Sequence, residues 1–172
     1  VDLQPATADQ LEAIEATANN YCEMWSAIGP PYPCAFAGTR IDIDALDFIE
    51  YEAGHHPQGL PGAALIWGNV IAKSELLDWL ISDAGELMLG STRYPSLLIW
   101  PMARVLELSH TSTPESGKFY WLLEEVVTKC LIQGGFAEEE DLKLLSLLGP
   151  ERSQGYCESV VTLLRQHRGD EL

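Results

Sequence analysis

Two of the chain's four histidines stand side by side in YEAGHHPQGLPG, Tyr51 to Gly62, directly after a carboxylate-rich run. His55, His56 and Glu52, with Glu50 nearby, are residue types that ligate a transition metal, and a histidine beside a carboxylate also suits general acid–base work. Spacing argues against the metal. Ligands on one helix face sit three or four residues apart so that both reach the same ion, whereas adjacent residues diverge by about a quarter-turn in a helix and a half-turn in a strand. The flanking residues offer a plainer role. Gly54 ahead of the histidines and Pro57 behind them are the usual close of a helix, where a histidine also interacts well with the negative end of the dipole. The expectation is a helix stop. The alternative is a metal-binding protein or metal-dependent enzyme, in which a loop converges His55 and His56 with Glu52 or Glu50.

Other chemistry is sparse. There is no G-x-S-x-G elbow and no P-loop, and the glycines at 54, 59 and 62 do not follow a strand as a dinucleotide fingerprint requires. No cysteine has a histidine beside it in sequence. The expectation is therefore a protein without catalytic residues and without a cofactor. Of the five tryptophans, Trp25, Trp67 and Trp121 fall on or beside apolar faces and are assigned to the core. Trp79 and Trp100 belong to strands and are the aromatic candidates for a partner surface. AEEED places Glu138, Glu139, Glu140 and Asp141 together as an acidic interaction patch, although carboxylates in a first helical turn also offset the positive end of the dipole.

These side chains need elements to hold them. TADQLEAIEATANNYCEMW reads as an amphipathic helix: Thr7 and Gln10 have capping-box spacing, and Leu11, Ile14, Ala18, Tyr21, Cys22 and Trp25 share a face. GPPYP ends it. IDIDALDFIEYEAG alternates at Ile41 and Ile43 like a strand, but Ile43, Leu46, Ile49 and Ala53 have helical spacing. It is assigned to a short helix ending near Gly54, with Asp42 as its cap. LPGAALIWGNVIAKSELL, with Pro61 in its first turn, is apolar nearly all round and is expected to be the buried central helix. Gly62 and Gly68 within it would let another backbone approach closely.

LDWLISDAGELMLGS places two apolar runs around Asp83-Ala84-Gly85, a hairpin signature with glycine at the left-handed position. SLLIW supplies a third strand, and MARVLEL either extends it after Pro101 or forms a helical turn. Thr113-Pro114-Glu115 starts the next helix, whose core face is Phe119, Leu123, Val126, Cys130 and Leu131 and which Gly134-Gly135 stops. AEEEDLKLLSLLG and SQGYCESVVTLLRQHR complete the chain as helices. The fold expected is α+β over a single domain, 1–172: a buried helix on a small antiparallel sheet, hairpin plus third strand, flanked by amphipathic helices at both ends.

Charge narrows the partners. Twenty-six acidic residues against ten basic give a formal net charge of −16. That field repels phosphate backbones and anionic lipid, so neither nucleic acid nor membrane is expected, while encounter with a basic protein is favoured. Apolar stretches such as GAALIWGNVIA are too short to span a bilayer. VDLQPATADQ has neither a basic region nor an apolar run, so no signal peptide is read there, although a segment removed ahead of Val1 would hide one. Cys22, Cys34, Cys130 and Cys157 show no C-x-x-C spacing, and reduced thiols in the cytoplasm are expected.

The stretch GAALIWGNVIAKSELLDWLISDAGELMLGSTRYPSLLIWPMARVLE, Gly62 to Glu107, resembles a segment of small bacterial α+β proteins of unknown function. In these a glycine-containing buried helix precedes a strand that starts at a tryptophan, then a hairpin and an apolar strand ending in proline. Such families include products encoded beside toxins and small acidic immunity proteins. The resemblance implies the architecture and brings no catalytic residue with it. The function expected is protein–protein binding, in its most concrete form an acidic immunity or inhibitor protein against a basic toxin. A small-ligand pocket between the buried helix and the sheet is a third possibility.

Overall fold

The computed structural model of the chain describes residues 2–28, 36–53, 59–92, 94, 96–110, 117–136 and 138–148, with only the backbone described at 28, 50–53 and 138. In chain order the elements are β1 (Leu3–Pro5), α1 (Ala8–Ile28), α2 (Arg40–Ala53), α3 (Leu60–Ala72), β2 (Asp78–Ser82), β3 (Leu87–Gly90), β4 (Leu98–Ile99), α4 (Pro101–Ser109), α5 (Lys118–Gly134) and α6 (Glu138–Ser146). The fold is α+β. The four strands form an antiparallel meander in the order β1-β2-β3-β4.

Local chemistry accounts for most of the boundaries. Thr7 and Gln10 close the capping box in both directions, Thr7 N–H donating to Gln10 Oε1 at 2.8 Å and Gln10 N–H to Thr7 Oγ1 at 3.4 Å. The hairpin turns through Asp83-Ala84-Gly85, with Gly85 at φ +79° and the Ser82 N–H donating to the Glu86 carbonyl across the neck. Pro101 opens α4, since a residue without an N–H loses nothing in a first turn. Gly135 at φ +58° ends α5.

Helix α3 is the hub. It touches α1, α2, α4 and β3, and Ile66, Trp67, Val70 and Ile71 are wholly buried. Its two glycines admit aromatic side chains from neighbouring elements rather than another backbone. A Cβ on Gly62 would land on the Tyr21 side chain of α1, and one on Gly68 would sit 2.5 Å from Trp79 Cη2 of β2. Tyr21 itself stands edge-on to Trp25 at 6.1 Å between ring centroids. The helix is thus keyed to α1 at one end and to the sheet in its second half.

The structure departs from the sequence reading at several places. Residues 3–5 form a strand although VDLQPATADQ was assigned none. Three residues are too few for a periodic pattern, and Pro5 is tolerated because β1 lies at the sheet edge. MARVLEL resolves as helix, continuing α4 from Pro101 to Ser109. Leu11, placed on the core face of α1, is 42% exposed. Trp121, assigned to the core, is 54% exposed, because it lies on the side of α5 away from Leu122, Leu123 and Val126. The start signal at Thr113 to Glu115 and the last helix, with Cys34 and Cys157, lie outside the described residues.

Candidate functional site

The sequence-derived candidates separate into four places. His55 and His56 lie outside the described residues, and Glu52 is placed only by its backbone in the last turn of α2. Among the described residues, no group of three or more histidine, cysteine or carboxylate side chains is arranged to hold a metal ion. Trp79 faces inward at 6% exposure, against Gly68, so it offers no contact surface. Trp100, at the N-cap of α4, is 41% exposed, with Leu98 equally so two residues before it.

The acidic run of α6 does not form one surface. Glu139 is exposed and Glu140 half-buried, but Asp141 is 5% exposed and turns inward with Leu144, Leu145 and Leu148. Helical spacing explains this: 141, 144, 145 and 148 share a face. The chain has chosen a first-turn carboxylate for its core side.

Three carboxylates of α2 are engaged by hydrogen bonds, although Asp44 stays exposed. Asp42 is fully buried and accepts the Gly38 N–H at 2.7 Å. Asp47 accepts the Phe119 N–H at 2.8 Å, in the first turn of α5. The residue before that helix is Gly117, at φ +88° and without a side chain to cap it, so the capping oxygen comes from α2 instead. Such a cap contributes about 1 kcal/mol. Asp44 accepts the Tyr120 hydroxyl at 2.9 Å, while Arg40 Nε donates to the same oxygen at 2.6 Å. Arg40, Asp44 and Asp47, spaced at i, i+4 and i+7, thus form a polar seam between α2 and α5. That spacing was readable in the sequence; its partner helix was not.

Burial pushes the Tyr120 phenol up to about 12, and the hydrogen bond to Asp44 adds to the shift. Ionising it would strand one negative charge beside another. The folded pKa lies above the unfolded value, so stability from this group is full below pH 10 and shrinks as the pH climbs towards 12. In an absorbance titration at alkaline pH, with the Tyr120→Phe difference assigning the signal, Asp44→Asn should bring Tyr120 back towards its ordinary value. An unchanged midpoint would show that Asp44 has no part in it.

Helix α1 also carries open acidic residues. Asp9, Glu12, Glu15 and Glu23 are all exposed, and α1 contains no lysine or arginine. Among the described residues none of the four has an ion-pair partner. At about 100° per residue, Asp9, Glu12 and Glu23 fall within roughly 60° of one another, opposite the buried Ile14, Ala18, Tyr21 and Trp25. Glu15 lies to one side of that stripe. From Asp9 to Glu23 the stripe runs about 21 Å at 1.5 Å per residue. By contrast, the charges between α4 and α5 are paired: Arg104 bridges Glu107 at 2.5 Å and also Glu125, which Lys129 holds at 2.7 Å.

No helix among the described residues is long and apolar enough to cross a membrane. Compared with family models, with curated proteins and with solved structures, the chain matches none of them.

Proposed function

We propose that this is a non-enzymatic cytoplasmic protein that acts by binding a basic protein partner through the outer face of α1, as an acidic inhibitor or immunity-type protein would. The observation that carries this reading is the unneutralised stripe of Asp9, Glu12 and Glu23 along one helix of a chain whose net charge is −16. Asp42, Asp47 and Asp44 of α2 are engaged with Gly38, Phe119 and Tyr120, whereas the α1 stripe has no such partner. Exposed charge of one sign steers a partner of the other sign and sets its orientation, and it does so more strongly at low salt.

Affinity capture from the native host tests it. The wild-type chain should retain a basic protein at low salt and release it as salt rises. The triple variant Asp9→Asn, Glu12→Gln, Glu23→Gln should lose roughly ten-fold or more in association rate, while Glu139→Gln on α6 should change little. Equal capture by the triple variant and the wild type would reject α1 as the recognition face.

A further inference from the structure

A cleft of about 470 Å³ opens between α1, the C-terminal half of α3 and the start of β2. That volume lies in the range of small-molecule sites. Its walls are mixed. Ile14 and Leu77 contribute buried apolar surface, while Glu15, Asn69, Lys73 and Asp78 bring polar groups to the same space.

Asn69 stands out among them. It belongs to the buried hub helix at 4% exposure, and its side-chain nitrogen is enclosed without a hydrogen-bond acceptor. Among the described residues its side-chain oxygen accepts no hydrogen bond either. Beside the amide runs Gly38, where a Cβ would collide with the Lys73 stem and lie 3.1 Å from Asn69 Nδ2. The backbone at Gly38 thus packs against the amide yet gives it no acceptor. A buried donor left unpaired carries a desolvation cost that a bound acceptor recovers.

The chemistry of this wall narrows the ligand. The free nitrogen is a donor, so whatever meets it must present an acceptor. The oxygen of the same amide takes a donor, so a group with an N–H beside a C=O bonds both ends at once, as asparagine does at the edge of a nucleobase. Lys73 N–H bonds the Asn69 backbone carbonyl at 2.9 Å, so the two side chains leave α3 one turn apart. The exposed Lys73 ammonium is therefore a second donor on the same side of the helix. Glu15 and Asp78 outnumber it, and in a chain of net charge −16 they disfavour an anion.

We propose that this cleft binds a small uncharged cyclic amide, a lactam, imide or pyrimidinone ring, through the Asn69 side chain. The ring C=O accepts from Asn69 Nδ2, the adjacent ring N–H donates to Oδ1, and the two bonds run side by side. Because a cis-amide carries both a donor and an acceptor, the pair closes for either orientation of the Asn69 amide. A further ring carbonyl takes the Lys73 ammonium, and the body of the ring rests on Ile14 and Leu77. None of these residues belongs to the Asp9, Glu12 and Glu23 stripe, so this binding and the capture of a protein partner can fail independently.

The test uses three probes built on one ring: uracil, 1,3-dimethyluracil and orotate, titrated by ¹⁵N-resolved NMR on the full chain. Uracil should move the Asn69 side-chain NH₂ signals downfield. It should also bind about ten-fold more tightly than 1,3-dimethyluracil, which keeps both carbonyls but has no N–H to donate. Orotate, the same ring with a carboxylate, should bind more weakly than uracil. Asn69→Leu should abolish the preference for uracil over its dimethyl derivative, whereas Lys73→Met, at the rim, should weaken uracil about three-fold and keep that preference. Should Asn69→Leu fail to fold, the three probes on the wild-type chain still decide. Equal affinity for uracil and 1,3-dimethyluracil, orotate binding as tightly as uracil, or Asn69 side-chain signals unmoved by uracil would overturn the proposal.

Discussion

Gly68→Ala should destabilise the protein by about 2 kcal/mol or more, lowering its melting temperature by several degrees. The added methyl would meet Trp79 Cη2 at 2.5 Å, Trp79 Cζ2 at 3.0 Å and Pro101 Cγ at 3.2 Å. None of the three is the free end of a flexible chain. The indole is held in the core at 6% exposure, and Pro101 begins α4. Relief therefore requires α3 to move away from the sheet, which loosens contacts of Trp67 and Val70 as well. The clash is specific to one partner, so it can be tested by double substitution. Trp79→Phe alone leaves a cavity and should also destabilise, but in combination with Gly68→Ala the methyl fills part of it. The pair should cost clearly less than the sum of the single changes. Additivity within about 0.5 kcal/mol would mean that the two sites do not touch.

Cys130 should react with iodoacetamide at pH 8 about a thousand-fold more slowly in the native protein than in urea. The thiolate is the reacting species, and burial pushes this thiol up to about 12. Against an ordinary thiol near 8.5, the thiolate fraction at pH 8 falls by about three orders of magnitude. Cys130 is wholly enclosed between the apolar positions of α5, so the reagent also lacks a route to it. Peptide-level mass spectrometry separates Cys130 from the other three cysteines. The same shift gives a sign for the pH dependence. The unfolded thiol loses its proton near 8.5 and the folded one keeps it to about 12, so stability from this group is full below about pH 8.5 and declines above it. Native-state alkylation as fast as in urea would show that Cys130 is not buried as described.

How much of this could be read from residues alone depends on whether the determining interaction is local. The helix after Pro101 was left open between strand and helical turn, whereas the capping box of Thr7 and Gln10 and the Gly85 turn are settled within a few residues of chain, and both were legible. So was the burial of α3, because a helix with no polar face has nowhere else to go. The use made of its glycines was not. Sequence shows that a Cβ is missing, and only the tertiary arrangement says that Tyr21 and Trp79 fill the space. The acidic residues are the clearest case. Asp42, Asp44 and Asp47 have the same composition as the α1 carboxylates, yet they bond Gly38, Tyr120 and Phe119, two of them across more than seventy residues. Acidic charge counted along the chain therefore overstated the surface available to a partner. The burial of Asp141 and Trp79 was hidden for a related reason: neither an acidic run nor a short strand reveals which of its faces is covered.

The account stands on α1 as the recognition face, and the dependence of association rate on ionic strength measures that directly. With the captured partner immobilised, the rate for the wild-type chain should fall steeply between low and physiological salt, because the screening length shrinks to about 8 Å. For the Asp9→Asn, Glu12→Gln, Glu23→Gln variant the rate should be lower at the outset and nearly flat. Identical salt dependence in the two proteins, or no partner retained by the wild type at any salt, would contradict it.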